Sequence, residues 1–469
     1  MESLDILASR LPEGAVATEP QILRERAIDS WALALLRQVR GEELPVPAAV
    51  IFPARTEDVA TVLAWATQTR TAVIPRGAGS GVCGGAQAQK GSVVLDLSRM
   101  NKVTGLDLVS QTVDVQAGVR GDQLEDALAA EGLTVGHYPQ SAAISTVGGW
   151  IAASSAGQAS AGFGAIEDVL LGLTAVLPRG EILRCRPVPR SAAGPDLRRL
   201  LVGSEGTLAV VTEATLACRV RPPGWEWLAS GFGSFNALAD GLREVVRAGT
   251  GAAVIRGYDQ TDAALSFGAL GHPGGCVALL GFPADLAGLQ ARMSLARDVL
   301  RRAGAADLAS SYGAYWLEHR NDAVGLYRQI MGPDRVFGSG VIVDTAEVAG
   351  LWSAVPGLYA GVRDALAAHC EAVGCHLSHL CSSGSSLYFT FLVRGAGDTD
   401  VEARYLAAWR HAMAGCAAAG GTITHHHGVG RLKAAFLAAE LGPAGADVLT
   451  RIKAALDPDG ILNPGALLP

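Results

Sequence analysis

Three consecutive histidines, His425, His426 and His427, stand in the stretch GTITHHHGVG near the end of a chain of 469 residues. Their position excludes a terminal tag. Imidazole changes protonation near neutral pH, so such a cluster is suited to moving a proton at a reacting atom. In an extended segment alternate side chains point opposite ways, which sets His425 and His427 on one side and His426 on the other. At most two of the three then meet one substrate atom. The plainer alternative is a turn whose rings bond to backbone. No metal is expected: adjacent histidines rarely converge on one ion, and no carboxylate stands at a suitable spacing.

Three glycine-rich loops carry a second kind of chemistry. PRGAGSGVCGG opens with Pro75, Arg76, Gly77, Ala78, Gly79, Ser80 and Gly81 directly after an apolar run. Backbone free of side chains can present several N–H groups to phosphate oxygens. The match to a dinucleotide fingerprint is loose, since no long helix follows and Asp96 is in the wrong context for a ribose carboxylate. The loop GHYPQSAAISTVGG offers Pro139, Gln140, Ser141, Ser145, Thr146, Gly148 and Gly149, and GSEGTL offers Glu205 and Gly206. The tract 141–164 is built almost wholly of small residues, which let backbone approach a flat, bulky ligand. Three such loops in one region fit a large dinucleotide with a planar ring.

The elements that position these loops alternate. AAVIFPA reads as a strand, and a helix begins at Thr56, with Glu57 and Asp58 near its positive end, and stops near Arg70. TAVIP and SVVLDL are strands flanking the first glycine loop. TVDVQAG is a half-buried strand, RGDQLEDALAAEG a helix closed by Gly132, and AVLPRGEIL a hairpin. A boundary falls near RPPGWEW, residues 221–227. Beyond it come strands at GAAVIRGYD and GCVALLGF, a helix over about 284–303, and a helical region over 346–373 interrupted at Pro356. The strand SSLYFTFLV and the helix VEARYLAAWRHAMAGCAAAG follow, and the tail lies over another domain. The fold class is α+β, with an antiparallel second domain. The expected division is an N-terminal arm 1–45 with one helical patch, a cofactor domain 46–222, a cap domain 223–420, and a segment 421–469 that completes the active site.

Composition narrows the function classes. A formal net charge of −7, with no basic run, argues against nucleic-acid partners. No segment sustains the run of roughly eighteen apolar residues that a membrane span needs. The start, MESLDILASRLPEG, lacks the flank and core of an export signal. Eight dispersed cysteines fit reduced thiols in the cytoplasm, and Cys370, Cys375 and Cys381 lack the paired spacing of a structural zinc site.

PRGAGSGVCGG, GHYPQSAAISTVGG, LVGSEGTLAVVTEA, HHHGVG and LDPDGILNPGALL, in this order, resemble the vanillyl-alcohol-oxidase (PCMH) type of FAD enzyme over roughly residues 45–469. Within that family, GHYPQSAAISTVGGW, GPDLRRLLVGSEGTL and above all HHHGVGRLK are similar to the alkylglycerone-phosphate synthases. The resemblance implies dissociable FAD in the N-terminal domain, its ring facing a substrate-binding cap. It implies a catalytic tyrosine at Tyr388, catalytic histidines at 425–427, and substrate-anion ligands at Arg256 and Arg320. It also implies exchange of the acyl group of acyl-dihydroxyacetone phosphate for a fatty alcohol through a flavin N5 adduct, in a homodimer that meets the membrane peripherally. From the residues alone, Tyr388 reads equally as an aromatic packed on a sheet. Likewise Arg320 reads as one half of an ion pair with Glu318 or Asp322.

Departures from that pattern keep a second reaction open. The first glycine loop is closer to the D-lactate and glycolate oxidising branch, and Gln140 replaces an acid of the synthases. The metal-binding segment of the D-2-hydroxy-acid dehydrogenases has no counterpart in SHLCSSGSSLYF. The alternative is therefore a metal-independent FAD-linked oxidase or dehydrogenase of a 2-hydroxy acid or alcohol.

Overall fold

Near the N-terminus, short buried runs of β-branched and aliphatic residues pair into a four-stranded sheet. Its order is Val16–Ala17, Ala49–Ile51, Val93–Asp96, Val73–Arg76. The last three strands are parallel, joined in part by the helix Thr56–Thr69. A computed structural model of the chain describes residues 4–332, 335 and 337–468. The helix buries Val59, Val62, Leu63 and Ala66 against the sheet and ends at Arg70 in the left-handed region (φ 55°). Its start is closed differently from the sequence expectation. Asp58 accepts the N–H groups of Ala54 and Arg55, both at 3.0 Å, while the Thr56 hydroxyl bonds Thr212 instead. Within the stretch expected as an arm, Val16–Ala17 pairs with Ala49–Ile51, so this part of the chain enters the first sheet.

A five-stranded antiparallel sheet follows, in the order Val103–Asp107, Thr112–Gln116, Val210–Ala217, Leu170–Val176, Ile182–Cys185. The last two strands form the expected hairpin, with Val176 opposite Ile182. Between the two sheets and the rest of the chain lie the loop after Arg76, the segment 137–164 and the turn 203–207.

The cap is built on seven antiparallel strands, ordered Ala306–Leu308, Trp225–Phe232, Cys276–Pro283, Val254–Tyr258, Ala372–Ser378, Gly384–Arg394, Val341–Leu351. The fold is α+β, as expected, but one expectation fails. The stretch 346–373 is not an interrupted helix: Val341–Leu351 is a strand in unbroken register with Gly384–Arg394, from Val341 opposite Arg394 to Leu351 opposite Gly384. Pairing along that whole length outweighs the helix preference of Ala346, Glu347 and Ala349. Pro356 lies in the first turn of the helix Val355–Ala367, where its missing N–H costs nothing. A further strand, Ala372–Ser378, ends the stretch.

Alternation along Gly384–Arg394 decides what the cap sheet shows to each side. Leu387, Phe389, Phe391 and Val393 are buried under the helices Val355–Ala367 and Asp398–Ala418. Tyr388 therefore points to the other face. Directly opposite it stand Glu347 on one neighbouring strand and His376 on the other. His376 in turn stands opposite Tyr258, two residues from Arg256. Residues opposite one another share a face, so register sets a row of polar groups across the sheet.

The C-terminal tail closes the assembly. Val73 donates to Ile461 and accepts from Asn463, extending the first sheet. No helix among the described residues is long and apolar enough to cross a membrane.

Candidate active site

The polar row of the cap sheet and the glycine-rich loops line one cavity of about 390 Å³. Every residue expected from the three loops, from Pro75 to Gly81, from Pro139 to Gly149 and at Glu205 and Gly206, reaches its wall. Tyr388, His426, His427 and Arg256 line it from the cap side; His425 and Arg320 do not.

The histidine triplet owes its shape to a residue that sequence reasoning missed. Glu347 is fully buried, and its Oε1 accepts the backbone N–H groups of His425 (3.2 Å), His426 (3.2 Å) and His427 (2.7 Å) together with the Thr424 hydroxyl (2.6 Å). Three successive N–H groups turned to one oxygen curl the backbone into a nest. The alternation expected of a strand is thus lost, and the adjacent pair His426 and His427, rather than His425 and His427, reaches the cavity. Lys433, also fully buried, donates to Glu347 Oε2 at 2.6 Å. Burial alone would raise the Glu347 pKa, but Lys433 and His427 outweigh it and hold the carboxyl down at about 2.

Around that nest the rings gather. The Tyr388 ring lies 5.3 Å from His427 at 88° and 6.0 Å from His426, centroid to centroid, and stacks on His376 at 4.7 Å. Burial, the cationic neighbours and the histidines themselves lower the pKa of His426 and His427, so both are neutral bases at pH 7. Burial raises the Tyr388 pKa; Glu347 and Asp344 add to the rise, and Arg256 opposes it only in part. Tyr388 is therefore a phenol, a donor, and the imidazoles are the groups able to accept a proton.

His379, held in the left-handed region (φ 53°), stacks on His425 at 5.1 Å and bonds Ser160 at 2.6 Å. One ring nitrogen from each of His379, His425 and His426 falls within 4.8 Å of the others, close enough to share a metal ion. Adjacency did not prevent convergence here, because the nest bends the backbone.

Two arginines share the Trp316 ring, Arg256 on the cavity wall and Arg320 outside it. The guanidinium carbon of Arg256 lies 5.4 Å from the Trp316 ring centre and that of Arg320 lies 5.9 Å from it, with Tyr138 5.6 Å from Arg320. Among the described residues neither forms a salt bridge; His319, not Arg320, pairs with Asp322, at 2.8 Å. Aromatic faces can stabilise a cation without consuming its donors, so both remain available to an anion. Gln140, expected beside the flavin, lines the cavity and donates to the Arg320 carbonyl at 2.9 Å.

The loops fit FAD. A Cβ on Gly77 would sit 2.3 Å from Thr146 Oγ1, and one on Gly79 (φ 71°) would sit 2.1 Å from the Arg76 guanidinium, so only bare backbone can line the cavity there. Thr146 Oγ1 accepts from Gly149 N–H at the start of the helix Val147–Ala153, behind which Trp150 donates to Ser145. Buried Ser378 Oγ lines the cavity without a hydrogen-bond partner among the described residues. Glu205 has its carboxylate committed to the N–H groups of Val429 (2.6 Å) and Gly430 (2.8 Å), clamping the third loop to the histidine segment; burial pushes its pKa up to about 7. Of the nucleophiles near the first two loops, neither Cys83 nor His137 is suited to a covalent link with the flavin. Burial raises the Cys83 thiol well above its usual range, and His137 sits outside the cavity wall, bonded to Ser155.

Comparison with known proteins agrees with this arrangement. Residues 47–186 match the FAD binding domain family, and residues 225–467 match the family of FAD linked oxidases, C-terminal domain. The chain is 31% identical to an uncharacterized FAD-linked oxidoreductase, YgcU, of Escherichia coli over 97% of its length and 95% of that protein. It is 30% identical to an alkyldihydroxyacetonephosphate synthase of Trypanosoma brucei brucei, over 93% of this chain and 75% of that one, and 29% identical to the glycolate oxidase subunit GlcD of Bacillus subtilis, over 90% and 89%. A solved alkyldihydroxyacetonephosphate synthase superposes with a TM-score of 0.81, at 23% identity over 98% of this chain and 84% of that one, which shows a shared fold. Three glycine-rich loops, a histidine nest and a cap sheet around one cavity thus have a family: this chain belongs to the FAD-linked oxidoreductases of the PCMH type, flavoenzymes with non-covalent FAD.

Proposed function

We propose that the protein oxidises an anionic 2-hydroxy acid or a related alcohol, with FAD in residues 46–222, substrate under the cap 223–420, and 421–469 completing the site. One observation carries this reading: Arg256, without a carboxylate partner among the described residues, lines the same cavity as a protonated phenol and two neutral imidazoles. When bound, FAD supplies a two-electron acceptor for the hydride of the carbinol carbon. Arg256 grips the anionic end, its forked donors matching a carboxylate's two oxygens, and Arg320, beyond the cavity wall beside the same Trp316 ring, adds its charge. His426 or His427 takes the hydroxyl proton as the C–H bond breaks, so the proton and hydride leave together as a carbonyl forms. Tyr388 donates a hydrogen bond to the same oxygen. No step uses a metal, and EDTA is expected to leave turnover unchanged. Anaerobic mixing of FAD-loaded protein with a panel of 2-hydroxy acids tests the reading: bleaching of the flavin supports it, and an unreduced flavin across the panel refutes it.

A second reading has its own support, in the approach of Tyr388 to His426 and His427 and in the identity to the trypanosome synthase. Here the imidazoles remove the proton beside the carbonyl of acyl-dihydroxyacetone phosphate, Arg256 and Arg320 hold the phosphate, and a fatty alcohol replaces the acyl group without net redox change. Labelled alcohol appearing in an ether product separates the two. All eight cysteines are free thiols, which supports a reducing, cytoplasmic setting for either reaction.

A further inference from the structure

His376 is a cavity residue that neither reading has used. Its Nδ1 lies 2.7 Å from Asp262 Oδ2 and its Nε2 lies 2.8 Å from Arg256 Nη2. A guanidinium only donates and a carboxylate only accepts. One state of the ring satisfies both neighbours: neutral, with hydrogen on Nδ1 and a bare lone pair on Nε2. Asp262 is itself fixed, its N–H donating to Asp259 at 2.8 Å at the start of the helix Gln260–Phe267, and Ser266 donating to its Oδ1 at 3.3 Å. The ring face lies against Tyr388 at 4.7 Å and 17°. Among the described residues, the buried Arg256 Nε has no hydrogen-bond partner and no carboxylate pairs with this arginine.

We propose that His376, locked in its Nδ1–H form by Asp262, is a positioning residue that aims Arg256 at the anionic end of the substrate while backing the ring of Tyr388. The proposal rests on the reading of Arg256 as an anion ligand. An acceptor in place of a carboxylate holds the arginine without neutralising it. An aspartate at this position would fix Arg256 equally well but cancel the charge that attracts the substrate; a neutral imidazole does the first and not the second.

Two measurements on the FAD-loaded full chain test this. In ¹⁵N-histidine spectra at neutral pH, with His376 assigned by its loss in His376→Gln, the ring is expected as the neutral Nδ1–H tautomer. An Nε2–H tautomer or a cation overturns the proposal. Calorimetric titration with inorganic phosphate then compares wild type with His376→Phe, His376→Gln and Arg256→Met. Phe keeps the stack on Tyr388 but cannot accept from Arg256, so affinity is expected to fall roughly tenfold, the scale of one hydrogen bond to a charged group. Gln, whose Oε1 stands in for Nε2, is expected to restore most of it. If Arg256→Met loses binding and His376→Phe does not, the positioning role is wrong and the arginine site stands. If Arg256→Met binds phosphate as wild type does, both fall.

Discussion

Lys433→Met tests the electrostatic foundation of the histidine nest. Lys433 and Glu347 are fully buried, 2.6 Å apart, and the variant keeps the length of the side chain while removing its charge. Glu347 would then lie buried with only neutral donors around it. Its pKa of about 2 against a usual value of 4.5 corresponds to on the order of 3 kcal/mol of preference for the charged form in the folded protein, within the ~3–5 kcal/mol typical of a broken buried pair. The folded value is depressed, so this contribution is complete above the unfolded pKa near 4.5 and is lost as pH falls toward 2. Urea unfolding at pH 7, followed by tryptophan fluorescence, is expected to show Lys433→Met less stable by about 3 kcal/mol. Glu347→Gln, which strands the ammonium, is expected to lose a similar amount. The double variant should lose less than the sum, with a coupling of at least ~2 kcal/mol. Additive losses, or a Lys433→Met variant within ~0.5 kcal/mol of wild type, would show that the pair is not the support claimed.

Tyr388→Phe preserves the stack on His376 and is expected to cut kcat by at least ~100-fold while FAD binding and thermal midpoint stay unchanged; a mild effect removes the phenol from the chemistry. Gly77→Ala places a methyl into Thr146 Oγ1 and is expected to weaken FAD at least ~10-fold in a fluorescence titration. Arg320→Met should raise KM with little change in kcat, since its charge attracts the substrate's anionic end and does not act on the reacting carbon. The lowered pKa of His426 and His427 keeps them neutral below pH 6.5, so the acid limb of the kcat profile is expected below that value and should disappear only when both are replaced.

Features with local signatures were the ones legible in the chain. Glycines that must stay bare, an aromatic strand with alternating burial and a run of histidines each announce themselves, and the loop residues, Tyr388 and two of the three histidines, His426 and His427, meet at one cavity. Partners set by pairing across strands were hidden. Glu347 reaches the nest only because Val341–Leu351 is a strand opposite Tyr388, and its Ala and Glu content disguised it as helix. The run VIVDT, rich in β-branched residues, was the available signal. Lys433 stood inside HHHGVGRLK, but its burial follows from the Glu347 contact and so could not be read before it. His376 and Asp262 are 114 residues apart and are joined through the helix packed on the strand that carries the histidine.

The central claim is that the flavin ring meets Tyr388, His426 and His427 inside the loop-lined cavity. A crystal structure of the FAD complex measures this directly. The expected result is a pyrophosphate against residues 76–81, with the isoalloxazine in van der Waals contact with the phenol and at least one of the two imidazoles. A flavin seated elsewhere, or one whose ring turns away from the cap sheet, would contradict it.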